Sequence, residues 1–277
     1  MISAIVFSKN RATQLDLLLK SIKQNFIQCN QIRVVWKADD SHLESYNILM
    51  KEYQTKVIFI KQDSFFQDTW EACRDSKNEY VVMFTDDDIV YKMVNIPAST
   101  LSHLDNDVFG CYSLRLGLNI TKRQMEDKWY NDTTQVNFLN ESEIIWNRTS
   151  VLPHSYWGYV LSVDGHIFNK RKLQKILYEI YLWNNINRYS QTPNKLESLM
   201  QRFFFEVGPF MLAPKDSCVV NSPNNRVQEE YKNRSGDQYS YCEDHLMQLY
   251  LSGHRIKLED LDFSNIYCPH TELDILK

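Results

Sequence analysis

Tyr80-Val81-Val82-Met83-Phe84-Thr85-Asp86-Asp87-Asp88 is the stretch on which the reading of the fold turns. A short apolar run closed by polar residues is the pattern of a strand buried on both faces, as in a parallel sheet. This one runs straight into three carboxylates.

Upstream of it, strand and helix patterns alternate. Ile2 to Phe7 is nearly continuous apolar sequence and predicts a first buried strand. Leu15, Leu18, Leu19, Ile22 and Phe26 share one helical face, and Thr13 with Asp16 fits a capping box at its start. Ile32 to Trp36 predicts a second strand ending at Asp39 and Asp40, Leu43 to Tyr53 a helix, Val57 to Ile60 a strand, and Phe65 to Ser76 a helix. Three successive strand–helix units imply right-handed crossovers and a parallel sheet.

Downstream, Val108 to Leu116 and Tyr156 to Val163 read as strands, and residues 118–155 as a polar, Asn-rich, loop-rich insertion dotted with Trp129, Tyr130 and Trp146. Phe168 to Trp183, Pro193 to Phe205 and Glu243 to Leu251 carry helical patterns, the last ended by Gly253. The expected organisation is one α/β domain over 1–277. It has a mixed, mainly parallel central sheet flanked by helices, a nucleotide-binding half at 1–117 and an acceptor-binding half at 156–277.

Bulk properties narrow the function classes. The net charge of -4 argues against a general nucleic-acid binder. The six cysteines are scattered with no Cys-x-x-Cys pair, so neither a zinc site nor a disulfide framework is indicated. No apolar run reaches the length of a membrane span, and the expected location is cytoplasmic. The basic stretch Lys170–Lys175 suits peripheral contact with an anionic membrane face, or simply a solvated helix face. Only seven glycines occur, with no dinucleotide or P-loop fingerprint.

In an open parallel sheet, ligands bind outside the carboxyl ends of the strands, where Asp86, Asp87 and Asp88 fall. Three like charges buried together are costly, so they must be solvated or compensated by a cation. Alternate residues of an extended chain point the same way, which would let Asp86 and Asp88 share one ligand, Mn²⁺ or Mg²⁺. The plainer reading is a solvated acidic loop.

With these residues in view, the chain resembles the type A glycosyltransferases, and their family 2 group in particular. Ser8-Lys9-Asn10-Arg11 after the first strand, and Val81 to Asp88, resemble that family's opening and its Asp-x-Asp strand. The resemblance implies a donor-nucleotide site made of Ser8, Asn10, Arg11, Asp39, Asp40, Asp86 and Asp87. It also implies a divalent metal held by Asp88 and Asp86, with His270 completing the shell. Cys242-Glu243-Asp244-His245-Leu246, followed by Leu251 to Ile256, resembles the family's Glu-Asp helix start and the strand after it. That implies Asp244, or else Glu243, as the catalytic base of an inverting enzyme; N-terminal helix capping is the plain alternative for both.

Trp157 and Asp164 are the candidate acceptor contacts, since an aromatic face packs on a sugar ring while a carboxylate takes its hydroxyls. The plain alternative is a core strand turning at Asp164-Gly165. The implied function is transfer of a sugar from a nucleotide-diphosphate sugar, UDP-sugar favoured, to a glycan, lipid-linked or other hydroxyl acceptor in polysaccharide biosynthesis. The Gln-x-x-Arg-Trp motif of processive members is missing. The alternatives are a haloacid-dehalogenase-type phosphatase using Asp86 and Asp88, a nucleotidyltransferase, and a non-catalytic carbohydrate-binding protein.

Overall fold

The structure is a computed structural model that describes residues 1–125, 128–131, 133–152, 155–227 and 234–277. The side chains of Trp129 and Tyr130 lie outside what is described.

β1 (Ile2–Lys9) is buried along seven consecutive residues, as a strand covered on both faces must be. α1 (Ala12–Asn25), β2 (Cys29–Lys37), α2 (Leu43–Tyr53), β3 (Val57–Lys61), α3 (Phe65–Arg74) and β4 (Tyr80–Thr85) follow in alternation. The four strands pair in parallel in the order β3-β2-β1-β4. The chain therefore moves outward from β1 on one side and then crosses to the other, which makes the carboxyl ends of β1 and β4 a topological switch point.

The capping box expected at α1 does not form. Arg11 occupies the cap without a side-chain bond. Thr13 donates instead to the Leu246 carbonyl, and Asp16 accepts from Lys20 and Tyr53. Tertiary partners have taken over both side chains.

The second half adds β5 (Asp88–Val90), α4 (Ala98–Ser102) and β6 (Phe109–Ser113). The segment read as a loop-rich insertion contains a hairpin, β7 (Lys122–Met125) with β8 (Lys128–Asn131), and two strands of the main sheet, β9 (Asn137–Phe138) and β10 (Glu143–Asn147). Glu143 breaks the apolar pattern of β10, yet it is buried because Thr100, Tyr112 and Asn140 all donate to its carboxylate.

Tyr156 to Val163, expected as a strand, runs as turns and bends. The strand begins only after Gly165, whose φ of 69° is a left-handed value that a glycine adopts freely. This β11 (His166–Asn169) is antiparallel to both neighbours, β4 and β6. α5 (Lys170–Asn187) is capped by the Asn169 side chain, and α6 (Pro193–Met200) by Thr192 with a proline in its first turn. β12 (Phe210–Pro214), β13 (Val219–Asn221) and α7 (Glu243–Leu251) complete the elements. No strand forms after Gly253, although Leu251 to Ile256 resembled one.

The main sheet has nine strands in the order β3-β2-β1-β4-β11-β6-β12-β10-β9. Tracing the pairings, only β11 and β10 run against the other seven. The fold is thus α/β with a mixed, mainly parallel sheet flanked by helices, as expected.

Alternate residues of β1 and β4 feed two cores. Ile5, Phe7, Val81 and Met83 pack with Phe65 and Phe66 of α3 and Leu173 and Leu177 of α5. Ala4, Val6, Val82 and Phe84 pack with Leu15 and Leu18 of α1 and Tyr46 and Leu49 of α2. All six cysteines are free thiols. Among the described residues, no helix is long and apolar enough to cross a membrane. In the basic stretch of α5, Lys170 and Lys172 cap the carbonyls of Ser76, Leu104 and Asn106.

Candidate active site

Parallel register sets Phe7 of β1 beside Thr85 of β4, so the chain segments leaving both strands meet at one sheet edge. There the Lys9 backbone N–H donates to Asp86 at 3.1 Å. The Arg11 guanidinium bonds Asp86 at 3.1 Å and Asp87 at 2.8 Å, and also the Asn225 carbonyl. Burial opposes the charge of Arg11, but Asp87 and Asp86 outweigh it and raise its pKa. Burial pushes Asp86 up to about 6, against the pull of Arg11.

Asp86 and Asp87 form a two-residue turn between β4 and β5 rather than extended chain. The turn sends the three carboxylates in different directions. Asp88 folds back under the turn, accepting from the Thr85 N–H at 2.8 Å and from Asn221, and is fully buried. Burial, then Asp164, drives its pKa well up.

Asn221 ties the site together. Its side-chain amide faces Thr85, Asp87 and Asp88. Its backbone bridges to His270, and its N–H donates to the Pro269 carbonyl. His270 is thereby brought to the same edge, with Nδ1 at 2.7 Å from the Tyr156 hydroxyl and Nε2 at 3.5 Å from Asp164.

Asp164 precedes β11 and so lies beside the end of β4. Its Oδ1 accepts from Thr85, and its Oδ2 pairs with Arg115 at 3.0 Å. Burial opposes its ionised form, but His270, Arg115 and Thr85 prevail and hold its carboxyl below the usual range. Beyond it, Glu197 of α6 accepts from the Val163 N–H at 3.1 Å. Burial, then Asp164, raises Glu197 to about 6, with Arg115 opposing.

Except for Asp88, these groups line a cavity of about 930 Å³, together with Lys9, Lys37, Gln62, Tyr159 and Arg226. Of the residues expected at the site, Ser8, Arg11, Asp86, Asp87, Asp164 and His270 line it. Ser8 is held there by the Tyr46 hydroxyl.

The others lie elsewhere. Asn10 and Asp39 bond each other reciprocally at the rim, outside the lining, and Asp40 opens an exposed helical turn. Trp157 is a core residue whose carbonyl accepts from the Trp146 indole. Asp244 and Glu243 start α7, which packs on α1 and α2 away from the cavity. The Asp244 side chain is 69% exposed and pairs with His42 at 3.1 Å. A carboxylate at a helix N-terminus is favoured there by the helix dipole alone, so the local pattern does not require a catalytic role.

The expected metal ligands have partners within the protein. Asp86 is committed to Arg11, Asp88 is beneath the lining, and His270 faces Asp164 and Tyr156. Among the described residues, no group of three His, Cys, Asp or Glu side chains converges as an ion site. In this arrangement Arg11 is the cation paired with Asp86 and Asp87.

Sequence reasoning missed Thr85, Arg115, Glu197, Asn221 and Arg226. Thr85 adjoins the acidic run and was within reach of the motif. The others arrive through long-range pairing that no local pattern announces.

No family model matches the chain. It is 23% identical over 259 residues to the bifunctional glycosyltransferase pgtA of Dictyostelium discoideum, across 86% of this chain and 34% of that protein. The chain thus spans about a third of the length of that relative. Among solved structures, S. aureus TarS in complex with UDP-GlcNAc is 16% identical over 94% of this chain and 68% of that one, with a TM-score of 0.46. The 4-diphosphocytidyl-2C-methyl-D-erythritol synthase of Anaerococcus prevotii is 15% identical over 91% and 96%, with a TM-score of 0.42. The chain is similar in sequence to a glycosyltransferase, the class that its motifs resemble.

Proposed function

We propose that this protein is a glycosyltransferase that moves a sugar from a nucleotide-diphosphate sugar, UDP-sugar favoured, to a hydroxyl of a glycan or other acceptor. The observation that carries the reading is the cavity at the switch point. There the β1 and β4 ends, Arg11 and the Asp86–Asp87 turn meet at one edge of the sheet. Arg11 offsets part of the charge of the acidic turn, and Lys9, Lys37 and Arg226 give the cavity the charge to hold a diphosphate. No step of this reading passes through a metal ion. Sugar and acceptor then meet at the Asp164 and Glu197 end, beside Tyr156 and Tyr159.

The phosphatase alternative needs both Asp86 and Asp88 to face a substrate, and Asp88 is fully buried and bonded. The test is incubation with UDP-, GDP-, CDP- and TDP-sugars and a panel of p-nitrophenyl glycosides as acceptors, following nucleoside diphosphate release. Release from donors of one base, stimulated by an acceptor, is the expected result. Phosphate release from an aryl phosphate instead, or sugar binding with no donor turnover, would overturn the reading.

A further inference from the structure

With the Glu-Asp pair of α7 outside the cavity, a displacement reaction there needs another base. The strand order says where to look. The end of β2 borders the cavity on one side of β1, and β4 and β11 lie on the other. A nucleotide seated over β1 and β2 therefore directs its reacting sugar toward the β4–β11 side. Four carboxylates line that side; Asp86 and Asp87 are paired with Arg11, which leaves Asp164 and Glu197.

They are held differently. Both Asp164 oxygens are committed, one to Thr85 and the other to Arg115, with His270 also near the second. A carboxylate stabilised by cations in this way is a poor proton acceptor. Glu197 accepts from the Val163 backbone N–H and from Ser162, both neutral donors. It projects from α6, whose first turn also supplies Thr192, Pro193 and Asn194 to the lining. The charged groups acting on it are Asp164 and Arg115, the first raising and the second lowering its proton affinity.

We infer that Glu197 is the catalytic base, taking the proton of the acceptor hydroxyl as its oxygen attacks the anomeric carbon. This rests on the glycosyltransferase reading above. The acceptor oxygen forms the bond to carbon, and the bond between carbon and the diphosphate oxygen breaks. That electron pair leaves with the nucleoside diphosphate, and the proton passes to the Glu197 carboxylate and then to solvent. Asp164 is a positioning residue in this scheme, fixing Thr85 and Arg115 beside the reacting sugar. Glu197 has a raised proton affinity, near 6, which suits a base working close to neutrality.

The experiment compares the wild type with Glu197→Gln and Glu197→Ala. Donor affinity is measured by calorimetry and kcat by UDP release from UDP-hexoses, with water or p-nitrophenyl glycosides as acceptor. Expected is a kcat lower by at least about 100-fold in Glu197→Gln, with donor Kd within about threefold of wild type. Wild-type kcat rises with pH through about 6 and levels off, and the residual rate of the Gln variant lacks that inflection. Formate restores part of the Glu197→Ala rate, which a purely structural role would not permit. A smaller fall in kcat, or a parallel loss of donor affinity, overturns the assignment while leaving the transferase reading intact. A wild type that neither binds nor turns over any donor overturns both.

Discussion

Five carboxylates gather at the end of β4 and β11, and neighbouring donors make them tolerable. Asp86 and Asp87 share Arg11, Asp88 lies on the Thr85 N–H and Asn221, and Asp164 is tied to Arg115. Glu197 is held by the Val163 N–H and Ser162, and this makes a stability prediction. Its folded pKa, about 6, stands above its ordinary value of 4.5. The folded state therefore binds more protons than the unfolded state between these values. Stability falls as pH rises through that window and stays reduced above it. Glu197→Gln removes the cost. Its unfolding free energy at pH 8, relative to wild type, should be higher than the same comparison at pH 4 by on the order of 1 kcal/mol, after allowing for the open cavity. Denaturant melts at the two pH values check this, and an unchanged difference contradicts it. At this scale the sequence was legible where the chemistry is local. Ser8, Arg11, Asp86 and Asp87 sit at strand ends and were picked out as site residues. Glu197 was not, because one isolated Glu in a helical pattern looks like solvent-facing charge. Asp244 lies outside the cavity lining, and a Glu-Asp pair opening a helix has the same local form whether or not it meets a cavity.

The elements show the same division. The first four strands and the helices between them were placed correctly, with ends within about three residues, since continuous apolar runs and a helical stripe leave little choice. The later strands are short and are formed by pairing rather than by pattern. β10 contains a buried Glu and β12 ends in Pro214, so neither advertises itself. Between β10 and the irregular stretch after α6 stands Arg148, almost wholly buried, whose guanidinium donates to the carbonyls of Phe204, Val207 and Gly208. Burial lowers its pKa, and among the described residues no carboxylate is paired with it. It supplies hydrogen bonds to the short 3-10 helix Gln201–Glu206 and the two residues after it. Arg148→Ala leaves three carbonyls without that donor and opens a void, and should cost about 2–4 kcal/mol. A calorimetric Tm within 2 °C of wild type, which for a chain of this length is only about 1 kcal/mol, would show that the stretch is held by other means.

Taken whole, the molecule is a sheet with a hydrophobic core on each face and its chemistry at one edge. That edge is where the parallel strands of the first half meet segments delivered by the second: Asp164 before β11, Asn221 at the end of β13, and His270 bridged to it. The placement of the cavity was legible from the strand–helix alternation; the identity of its far wall was not, because it depends on how the second half folds back. The measurement that tests the central claim most directly is equilibrium binding of UDP, GDP, CDP and TDP to three proteins. These are the wild type, Arg226→Glu, which reverses an exposed cation at the cavity, and Asp244→Asn, which alters the exposed carboxylate of α7. The account predicts that one nucleoside diphosphate binds the wild type, stabilising it by about 1.4 kcal/mol at tenfold its Kd. Arg226→Glu weakens that binding by about tenfold or more, and Asp244→Asn leaves it unchanged. Binding lost in Asp244→Asn and kept in Arg226→Glu, or no binding of any nucleotide, would contradict it.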